Sequence, residues 1–562
     1  MKRVAILGSI LLFATYAEAN VSLKNGNFFI GNVDLVYHGG FEPKIQTTYN
    51  SKSSHNGIFG FGMGSEFEPY LVPSIDGAIV VHENGGGATN RFLPAGAAPA
   101  EIEAKTKEAV EKIAAARSKL GAGFGASSAQ DYKKRLLTDV RFRVDEWDRV
   151  FRAGLVKANP VKDGTVFKSN KYSFQTITRI KDTYVRKFDT GRVEVYGNNG
   201  RLMQVFDRNK NFVRLIYNKS GQMTQLVDNL NRKMTFSYNK NGKVEKILGE
   251  NGKKVEYRYD GFVMVYRKNS DGQVYEYKYS NNGRYNLLEV KFPDKSTMKI
   301  DYNDVAKGET VASLRDRDGT LTKYTYMNDG VNGLYRGTAL TVFSSDGKEI
   351  SKAKYEYWDK NKLDGERYTY KMSTDVDGEK TETVYNECCG LPLVITRNGE
   401  KTSFEYDARG HVTRKTTPFE VTELTYDPQT NKVAKVARFP MGEKDPKKVN
   451  WATYKYDSKG NLVEARNSAG QGVKIAYNSG TGQIMAMVDQ AKRRLEFAYN
   501  EANRPVEIRD PALGKIKVQY SASGDVQKVD TVGDRAIAGQ ITSAFQNLME
   551  LIRPAGVSLT SK

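Results

Sequence analysis

Two adjacent cysteines, Cys388 and Cys389, are the most reactive pair of side chains in the sequence. Adjacent thiols could form a strained vicinal disulfide in an oxidising compartment, or contribute ligands to a metal site. A metal site would need further ligands nearby, and the four histidines are scattered along the chain. The pair also lies between Tyr385 and Gly390, where a turn is expected. A structural turn is therefore favoured, and no metal ion or cofactor is predicted.

Carboxylates occur in two segments whose spacing resembles that of calcium-binding loops. These are residues 316–319 (DRDG) and residues 375–378 (DVDG). Both lack the third spaced ligand and the distal glutamate, so both are predicted to be hairpin turns. The sequence also contains no Gly-x-Ser-x-Gly elbow, no His-Glu-x-x-His motif and no phosphate-binding loop. These observations favour a protein that is not an enzyme.

Tyrosines recur about every 21 residues over most of the chain, and a glycine usually follows four residues after the tyrosine. An apolar residue usually comes two positions after that glycine. Clear examples of the pair are Tyr217 and Gly221, Tyr238 and Gly242, Tyr406 and Gly410, and Tyr456 and Gly460. A period of this length is typical of an array of supersecondary units rather than of a single catalytic core.

Each unit is predicted to be two short antiparallel strands and two tight turns. Alternation before the tyrosine, as in Met234, Phe236 and Tyr238, puts these side chains on one face of a strand. The glycine supplies the positive φ that the turn needs. The glycines are expected to matter more for stability than the tyrosine hydroxyls, provided that the hydroxyls are solvated. The repeats predict a mainly β fold, with one continuous antiparallel meander across residues 196–532.

Several segments carry a family resemblance. Residues 406–412 (YDARGHV) and 456–462 (YDSKGNL) resemble the YD repeat, also called the RHS repeat. Residues 25–28 (NGNF) and 60–62 (GFG) resemble the domain of unknown function that precedes Rhs repeats in bacteria, although Met63 stands where that family usually has tryptophan. The resemblance implies a spiral or partial β-shell, as in bacterial Rhs proteins, toxin-complex components and teneurins.

The first 19 residues are predicted to be a secretory signal peptide. A basic pair, Lys2-Arg3, precedes an apolar run over residues 4–16, and Ala17-Glu18-Ala19 forms a small-x-small cleavage site before Asn20. The apolar run is short for crossing a bilayer, and no later segment is apolar enough to do so. We therefore expect a secreted chain that is not transmembrane and that resides in the periplasm, at the cell surface or outside the cell.

Between the signal peptide and the repeat array, the sequence predicts three further segments. Residues 20–95 form an N-terminal β domain, residues 96–158 a helical insertion, and residues 159–195 a return to β sheet. The insertion should contain two amphipathic helices, at residues 99–120 and 130–151, joined as a hairpin. They could act as a packing cap or as a partner-binding arm.

Residues 533–562 are predicted to form a C-terminal capping helix and tail. Apolar residues recur three to four positions apart and share one helix face, with Ile541, Phe545 and Leu548 at its centre. This face is expected to cover the edge of the last strand, because unpaired edges invite aggregation.

The chain carries a net charge of +20, which favours anionic surfaces. The lysines are spread along the chain and no recognition helix is present, so sequence-specific nucleic-acid binding is not predicted. The favoured function is an exported, non-enzymatic scaffold for adhesion, which contacts an anionic surface glycan or another envelope protein at many weak points. One alternative is a partial Rhs-type shell that encloses or escorts a separately encoded effector polypeptide. A carbohydrate-active protein is a minor alternative.

Overall fold

Most of the chain forms one antiparallel sheet in which each strand pairs with the strand before it and the strand after it. The computed structural model describes residues 18–74, 76–85, 88–119, 126–169, 175–304, 309–328, 333–362, 367–387, 390–443, 445, 448–500, 504–511, 514–520 and 526–532. Within these residues the fold is mainly β, with a helical insertion, as the sequence predicts.

A small sheet comes first. The first six strands are β1 (Glu18–Ser22), β2 (Asn27–Val36), β3 (Lys44–Asn50), β4 (Asn56–Gly57), β5 (Gly60–Phe61) and β6 (Met63–Ser65). The small sheet has the order β1-β2-β3-β6, and β4 and β5 form a separate two-stranded pair. We call residues 18–68 the plug, because the long sheet wraps around them. Strand β1 crosses the predicted signal-peptide cleavage site.

The long sheet begins with β7 (Tyr70–Pro73), β8 (Ile79–His82) and β9 (Thr89–Pro94), and it resumes after the helices. Its strands up to the middle of the array are β10 (Val166–Ser169), β11 (Thr176–Ile180), β12 (Thr183–Lys187), β13 (Val193–Gly197), β14 (Leu202–Phe206), β15 (Phe212–Tyr217), β16 (Met223–Asp228), β17 (Lys233–Tyr238), β18 (Val244–Leu248), β19 (Lys254–Asp260), β20 (Val263–Lys268), β21 (Val274–Tyr279), β22 (Leu287–Lys291), β23 (Thr297–Tyr302) and β24 (Val311–Arg315). Strand β9 pairs with β10, so the insertion does not interrupt the sheet.

The second half of the sheet continues in the same way. Its strands are β25 (Leu321–Asn328), β26 (Tyr335–Phe343), β27 (Glu349–Asn361), β28 (Arg367–Val376), β29 (Glu379–Tyr385), β30 (Pro392–Arg397), β31 (Glu400–Tyr406), β32 (Val412–Thr416), β33 (Glu420–Tyr426), β34 (Val433–Pro440), β35 (Asn450–Tyr456), β36 (Leu462–Asn467), β37 (Gly472–Tyr477), β38 (Ile484–Asp489), β39 (Arg494–Tyr499), β40 (Pro505–Asp510), β41 (Gly514–Tyr520) and β42 (Val526–Val532). The predicted continuous meander is therefore confirmed.

The predicted repeat tyrosines each lie next to a β-bulge. In the unit of Tyr217, Ile216 pairs with Gln225 but Tyr217 pairs with Met223, so Thr224 is an extra residue in its strand. The same irregularity recurs at Tyr238, Tyr406 and Tyr456, among others. Because a bulge increases local twist, one bulge per unit curls the sheet steadily in one direction.

Within its described residues the insertion contains three helices, α1 (Pro99–Ser118), α2 (Ala126–Thr138) and α3 (Val140–Arg152), instead of the two expected. The second predicted helix is divided at Asp139, which adopts an extended backbone and accepts a hydrogen bond from the Phe142 amide at 3.0 Å. This is an N-cap, and it starts a new helix. The helices bury Ile113, Leu136 and Trp147 against the β7 side of the sheet, and the helix face is therefore a packed one.

The start of the long sheet is joined to a later turn of the same sheet. The Leu71 amide donates to the Gly200 carbonyl oxygen over 2.8 Å, and Tyr70 forms an isolated antiparallel bridge with Arg201. A Cβ on Gly200 would collide with the Leu71 carbonyl oxygen, so only glycine fits this position. We call this contact the seam. It gives the edge of β7 a partner.

The array also passes alongside itself. A Cβ placed on Gly482 would lie 2.9 Å from Nδ2 of Asn209, about 270 residues earlier. Burial, together with the positive charge of nearby Arg208, lowers the pKa of Lys432 to about 8. The turns that follow β33 and β37 thus lie close to the turn between β14 and β15, and the sheet forms a spiral. No helix of the described residues is long and apolar enough to cross a membrane.

Candidate functional site

The repeat tyrosines form a regular ladder of hydrogen bonds along the sheet. In most units the hydroxyl donates to the backbone carbonyl of the apolar residue at the bulge of the preceding unit. Tyr238 Oη donates to the Met223 oxygen over 2.5 Å, and Tyr477 Oη to the Leu462 oxygen over 3.0 Å. The same bond is made by Tyr217, Tyr259, Tyr326, Tyr406, Tyr426, Tyr456, Tyr499 and Tyr520. Each hydroxyl ties one unit to the unit before it.

These hydroxyls are hydrogen-bonded to the backbone instead of to solvent. The expectation that the turn glycines matter more for stability than the tyrosine hydroxyls assumed solvated hydroxyls, and that assumption does not hold. Burial raises the pKa of Tyr406 and of Tyr456 to about 12, because the phenolate would lose its hydration. The sequence could not show this bond, because its acceptor is a backbone atom of the preceding unit. The tyrosines are therefore structural in both ring and hydroxyl.

The turn glycines behave as predicted. Gly221, Gly242, Gly410 and Gly460 have φ values of 81°, 70°, 80° and 79°. A side chain at these positions would be strained, since only glycine adopts this conformation at little cost. The two calcium-like segments are hairpin turns, with Gly319 at φ 89° and positive φ at residues 377 and 378. The described residues contain no group of three or more His, Cys, Asp or Glu side chains that could hold a metal ion.

The plug is fixed to the array by a buried charge pair. Asp34 is the extra residue of a bulge in β2 and is 1% exposed. Its carboxylate accepts from Tyr257 Oη at 2.8 Å and from Thr47 Oγ1 at 3.1 Å. Nε of Arg267, a residue also 1% exposed, lies 3.1 Å from Asp34 Oδ1. Burial raises the pKa of Asp34, and the positive charge of Arg267 opposes that rise.

Polar contacts extend along the same interface. The Tyr37 hydroxyl donates to the Lys233 carbonyl oxygen over 2.8 Å and accepts from the Glu250 amide at 2.6 Å. Nζ of Lys243, which is 6% exposed, donates to Oδ1 of Asn56 over 2.5 Å. The plug is therefore hydrogen-bonded to successive units of the sheet around it. No local sequence motif predicts any of these long-range contacts.

The tyrosine ladder is interrupted where it meets the plug. The ring of Tyr49 lies 6.0 Å from that of Tyr279, centroid to centroid. Tyr49 Oη accepts from the Leu287 amide at 3.0 Å. The Tyr279 hydroxyl is buried and has no hydrogen-bond partner within the described chain. Packing against the plug thus replaces the ladder bond at this position.

The sheet has two sections that differ in what covers the inner face. We call β13–β24 the filled section. A row of inner-face residues there, Leu215, Leu226 and Met234, is 1%, 2% and 1% exposed. These side chains belong to one core cluster together with plug residues such as Phe28 and Ile30. The plug and the inner face of the filled section therefore share one buried core.

We call β25–β32 the open section. A matching row runs across five strands through Tyr357, Met372, Thr383, Ile395 and Thr402, and every member except Tyr357 is only partly buried. The face mixes apolar groups with threonine hydroxyls. Across β28–β31, none of the described residues belongs to a buried hydrophobic cluster, so the middle of the open section has no packed core against it.

A cavity of about 1500 Å³ borders this open wall. It lies between the plug, helix α3, strands β7–β9 and strands β26–β29, and Tyr357, Met372 and Tyr385 are part of its lining. Cationic side chains lining it are Lys24, Lys52, Arg91, Arg141, Arg149, Arg336, Lys362 and Arg367. Acidic side chains lining it are Asp139, Asp145, Asp148, Asp359 and Glu387. The cavity is the main candidate for a functional site, and no sequence motif marks it.

Other predicted features lie outside the described residues. These are the cysteine pair Cys388 and Cys389, most of the signal peptide, and the C-terminal stripe with Ile541, Phe545 and Leu548. Their predictions stand untested.

Two sequence comparisons with known proteins each match part of the chain. Residues 18–92 match a family described as a domain of unknown function, DUF6531. The tRNA3(Ser)-specific nuclease WapA of Bacillus spizizenii is 25% identical over 278 residues, which are 44% of this chain and 11% of that protein. The chain therefore spans about a tenth of the length of this relative.

Among solved structures, a chain of the Photorhabdus luminescens Tc holotoxin pore aligns with a TM-score of 0.42 and 11% identity. The alignment covers 91% of this chain and 28% of that chain. A crystal structure of TcdB2-TccC3-TEV aligns with a TM-score of 0.41 and 12% identity, over 93% of this chain and 29% of that one. The chain thus spans under a third of each of these proteins.

Proposed function

We propose that this chain is a non-enzymatic, Rhs-type shell that encloses or escorts a separately encoded polypeptide. The observation that carries the proposal is the open section. It is built from the same hairpins and the same tyrosine ladder as the filled section, yet its inner face is half-exposed and borders a cavity of about 1500 Å³. The strands of this wall pair with one another and do not need a core to cover the inner face. The inner face is therefore free to bind a second polypeptide, which we call the guest.

The proposal includes no catalytic step. The residues that define the repeat have structural uses, since the tyrosines bond to neighbouring units and the glycines form turns. The inner wall offers threonine hydroxyls and aromatic rings, which suit the mixed polar and apolar surface of a polypeptide. The packing of the sheet against residues 18–68 of its own chain supports the proposal that it can pack around another polypeptide.

The test is retention of a polypeptide by the full chain purified from its native host. The purified protein is treated with protease, and any protected polypeptide is identified by mass spectrometry. Ile395→Glu places a charge on the inner wall, and Val394→Glu places the same charge on the outer face of the same strand. We expect the inner change to release the guest and the outer change to retain it. Equal retention by both variants, or no protected polypeptide at all, would contradict the proposal.

Adhesion at an anionic surface is the second candidate, and the net charge of +20 favours it. The proposed ligands are surface glycans or another envelope protein, and the proposed location is the periplasm, the cell surface or the exterior. Co-sedimentation with lipopolysaccharide across a salt series tests this candidate, because such binding should weaken as salt screens the charges.

Amino-terminal sequencing of the exported protein should give Asn20 as the first residue, and retention of Met1 would exclude the signal peptide.

A further inference from the structure

A second cavity, of about 450 Å³, lies where late strands of the array pass the plug and the early strands. Gly40 of the plug lines one part of it, and Asn211 and Asn229 line the same part from the turns before β15 and β17. The opposite part is formed by the turn between β37 and β38, by β39 and by Asn500. We call this space the amide cavity. It is bounded by three segments that are remote in sequence.

The side chains that line the amide cavity are uncharged. Charged residues make up 27% of the chain, yet none is among the described residues of this lining. Five of the lining side chains are carboxamides, namely Asn211, Asn229, Asn478, Gln483 and Asn500. A charged ligand would lose hydration here without gaining an opposite charge. The lining therefore favours an uncharged, polar ligand.

The two carboxamides on the early side hold each other in place. Asn229 Nδ2 donates to Asn211 Oδ1 over 3.1 Å, and Asn229 Oδ1 accepts from the Phe41 amide at 3.3 Å. Asn211 is 5% exposed, and its Nδ2 donates to Asp207 Oδ2 over 2.8 Å. This side of the cavity is a preformed wall that joins the plug to the array.

The three carboxamides on the late side are held by their oxygens. Asn478 Oδ1 accepts from the Thr481 amide at 3.0 Å, and Gln483 Oε1 accepts from Thr481 Oγ1 at 2.8 Å. Asn500 Oδ1 accepts from the Arg504 amide at 2.9 Å. Within the described residues the NH₂ groups of these three side chains make no hydrogen bond. Three fixed donors are therefore left for a ligand.

Apolar groups lie beside these donors. Leu230 and Met485 line the cavity, and each is 46% exposed. Tyr499 lines it as well, and because its hydroxyl donates to the Ile484 carbonyl oxygen, its ring is the part left for a ligand. A sugar ring has matching surfaces. Its hydroxyl oxygens accept from NH₂ groups, and its C–H faces pack on apolar and aromatic side chains.

We propose that the amide cavity binds a neutral saccharide of one or two sugar rings. Its volume falls within the range of about 300–1,000 Å³ that is usual for small-molecule sites. The three NH₂ groups donate to hydroxyl or acetamido oxygens, while Leu230, Met485 and Tyr499 pack against the ring. This inference goes beyond the proposed function and does not depend on a guest. A bound saccharide contacts both the plug and the late strands, so it also stabilises the folded chain.

Isothermal titration calorimetry of the full-length chain tests the proposal. The probes are four neutral disaccharides, namely cellobiose, maltose, lactose and N,N′-diacetylchitobiose, with digalacturonate as the acidic comparison and adenosine as a neutral ligand of another class. We expect at least one neutral disaccharide to bind with a Kd of about 1 mM or below. Digalacturonate and adenosine should bind more weakly. The Tm should rise with the concentration of the bound disaccharide.

Two isosteric substitutions test the donors. Gln483→Glu combined with Asn500→Asp keeps the oxygen that each side chain supplies and removes its NH₂ group, so the affinity should fall by about tenfold or more. The matched control combines Gln222→Glu with Asn239→Asp. It makes the same chemical change at two turns of the filled section, outside the amide cavity, and should leave the affinity unchanged.

A milder variant keeps the test decisive if the double variant does not fold. Asp407 and Asp457 accept from backbone amides at the turn position that Asn500 occupies in its own unit. Asn500→Asp alone should therefore preserve the turn, and it should still weaken the binding several-fold.

Three results would overturn the inference. The first is that none of the four neutral disaccharides binds. The second is that digalacturonate or adenosine binds at least as tightly as the best of them. The third is an equal loss of affinity in the cavity and control variants. Each result leaves the protease-protection test of the guest untouched, so the two proposals fail separately.

Discussion

The filled and open sections are built alike but have different interiors. In the filled section Tyr259 bonds to the Val244 carbonyl oxygen, and in the open section Tyr406 bonds to that of Pro392, over 2.8 and 2.5 Å. The two sections therefore share the same hydrogen bond between successive units. The inner face is covered by the plug in one section and borders a cavity in the other. The repeat residues therefore determine the strand pairing of the wall. The side chains on the inner face determine what can pack against it.

This difference also separates two kinds of stabilisation. The filled section gains from burial of apolar surface against the plug, at roughly 25 cal/mol per Å². The open section depends mainly on nearest-neighbour pairing between hairpins, as in other repeat arrays. Substitutions with the same chemistry should therefore have different costs in the two sections.

The largest effect is expected from Asp34→Ala in the plug. It leaves Arg267 charged, buried and unpaired, which costs about 3–5 kcal/mol of unfolding free energy. The matched change in the open section is Asp359→Ala, whose partner Arg336 is 30% exposed and can be hydrated. We expect that variant to lose clearly less stability in urea denaturation. Similar losses at the two sites would mean that the plug contributes no more than the cavity wall does.

The next effect is expected from Gly200→Ala at the seam. A left-handed alanine costs about 1–2 kcal/mol, and its Cβ would also break the Leu71 hydrogen bond, which adds about 0.5–1.5 kcal/mol. The control is Gly399→Ala in the open section, where φ is 90° and no atom lies within 4 Å of the added Cβ. Thermal melts should rank Gly200→Ala as the more damaging change. The reverse order would show that the seam is not a stabilising contact.

A smaller effect is expected from the tyrosine hydroxyls. Tyr238→Phe removes the bond to the Met223 carbonyl and should cost about 0.5–1.5 kcal/mol. Tyr279→Phe removes a buried hydroxyl that has no partner within the described chain, so it should be neutral or slightly stabilising. Chemical denaturation of both variants checks the difference. A substantial loss in Tyr279→Phe would reveal an acceptor for its hydroxyl.

The smallest effect is expected in the alkaline range. Burial raises the pKa of Tyr406 to about 12 and raises that of Tyr259 well above the ordinary 10.0. The folded chain therefore holds these protons more tightly than the unfolded chain does. The associated stability is complete below about pH 10 and is lost as the pH rises towards 12.

Tyrosinate absorbance measured during an alkaline titration follows this loss. The Tyr406→Phe variant should lack part of the native-state signal near pH 12. The Tyr259→Phe variant should match the parent until unfolding begins, because Tyr259 ionises later. If both tyrosines instead ionised near pH 10, their hydroxyls would not be buried in the hydrogen bonds described for the ladder.

Local features of the fold could be predicted from the sequence because they depend on local chemistry. Gly242 and Gly460 mark turns because other residues are strained at positive φ. The alternation ending at Tyr238 marks a strand because side chains alternate between the faces of a sheet. The break between α2 and α3 also had a local signal, since Asp139 is a good N-cap residue that the apolar spacing concealed.

The candidate site could not be predicted in the same way. Asp34 and Arg267 are separated by more than 200 residues, and nothing in either local sequence names the other. The cavity is a gap between the plug, α3 and the array, so it depends on how far the sheet curls. The curvature of the sheet is the sum of small contributions from one bulge per unit, such as the bulge at Tyr217. The sequence of a single unit therefore does not predict it.

The seam between β7 and the Gly200 turn has a consequence for biosynthesis. A ribosome releases the plug and β7 before any repeat, so the object around which the sheet winds exists first. Each later hairpin then finds its partner strand already finished and adds through short-range contacts, which form quickly and avoid long searches. The open section is released afterwards, so a guest can be taken in while the chain is still growing and need not pass through a completed wall.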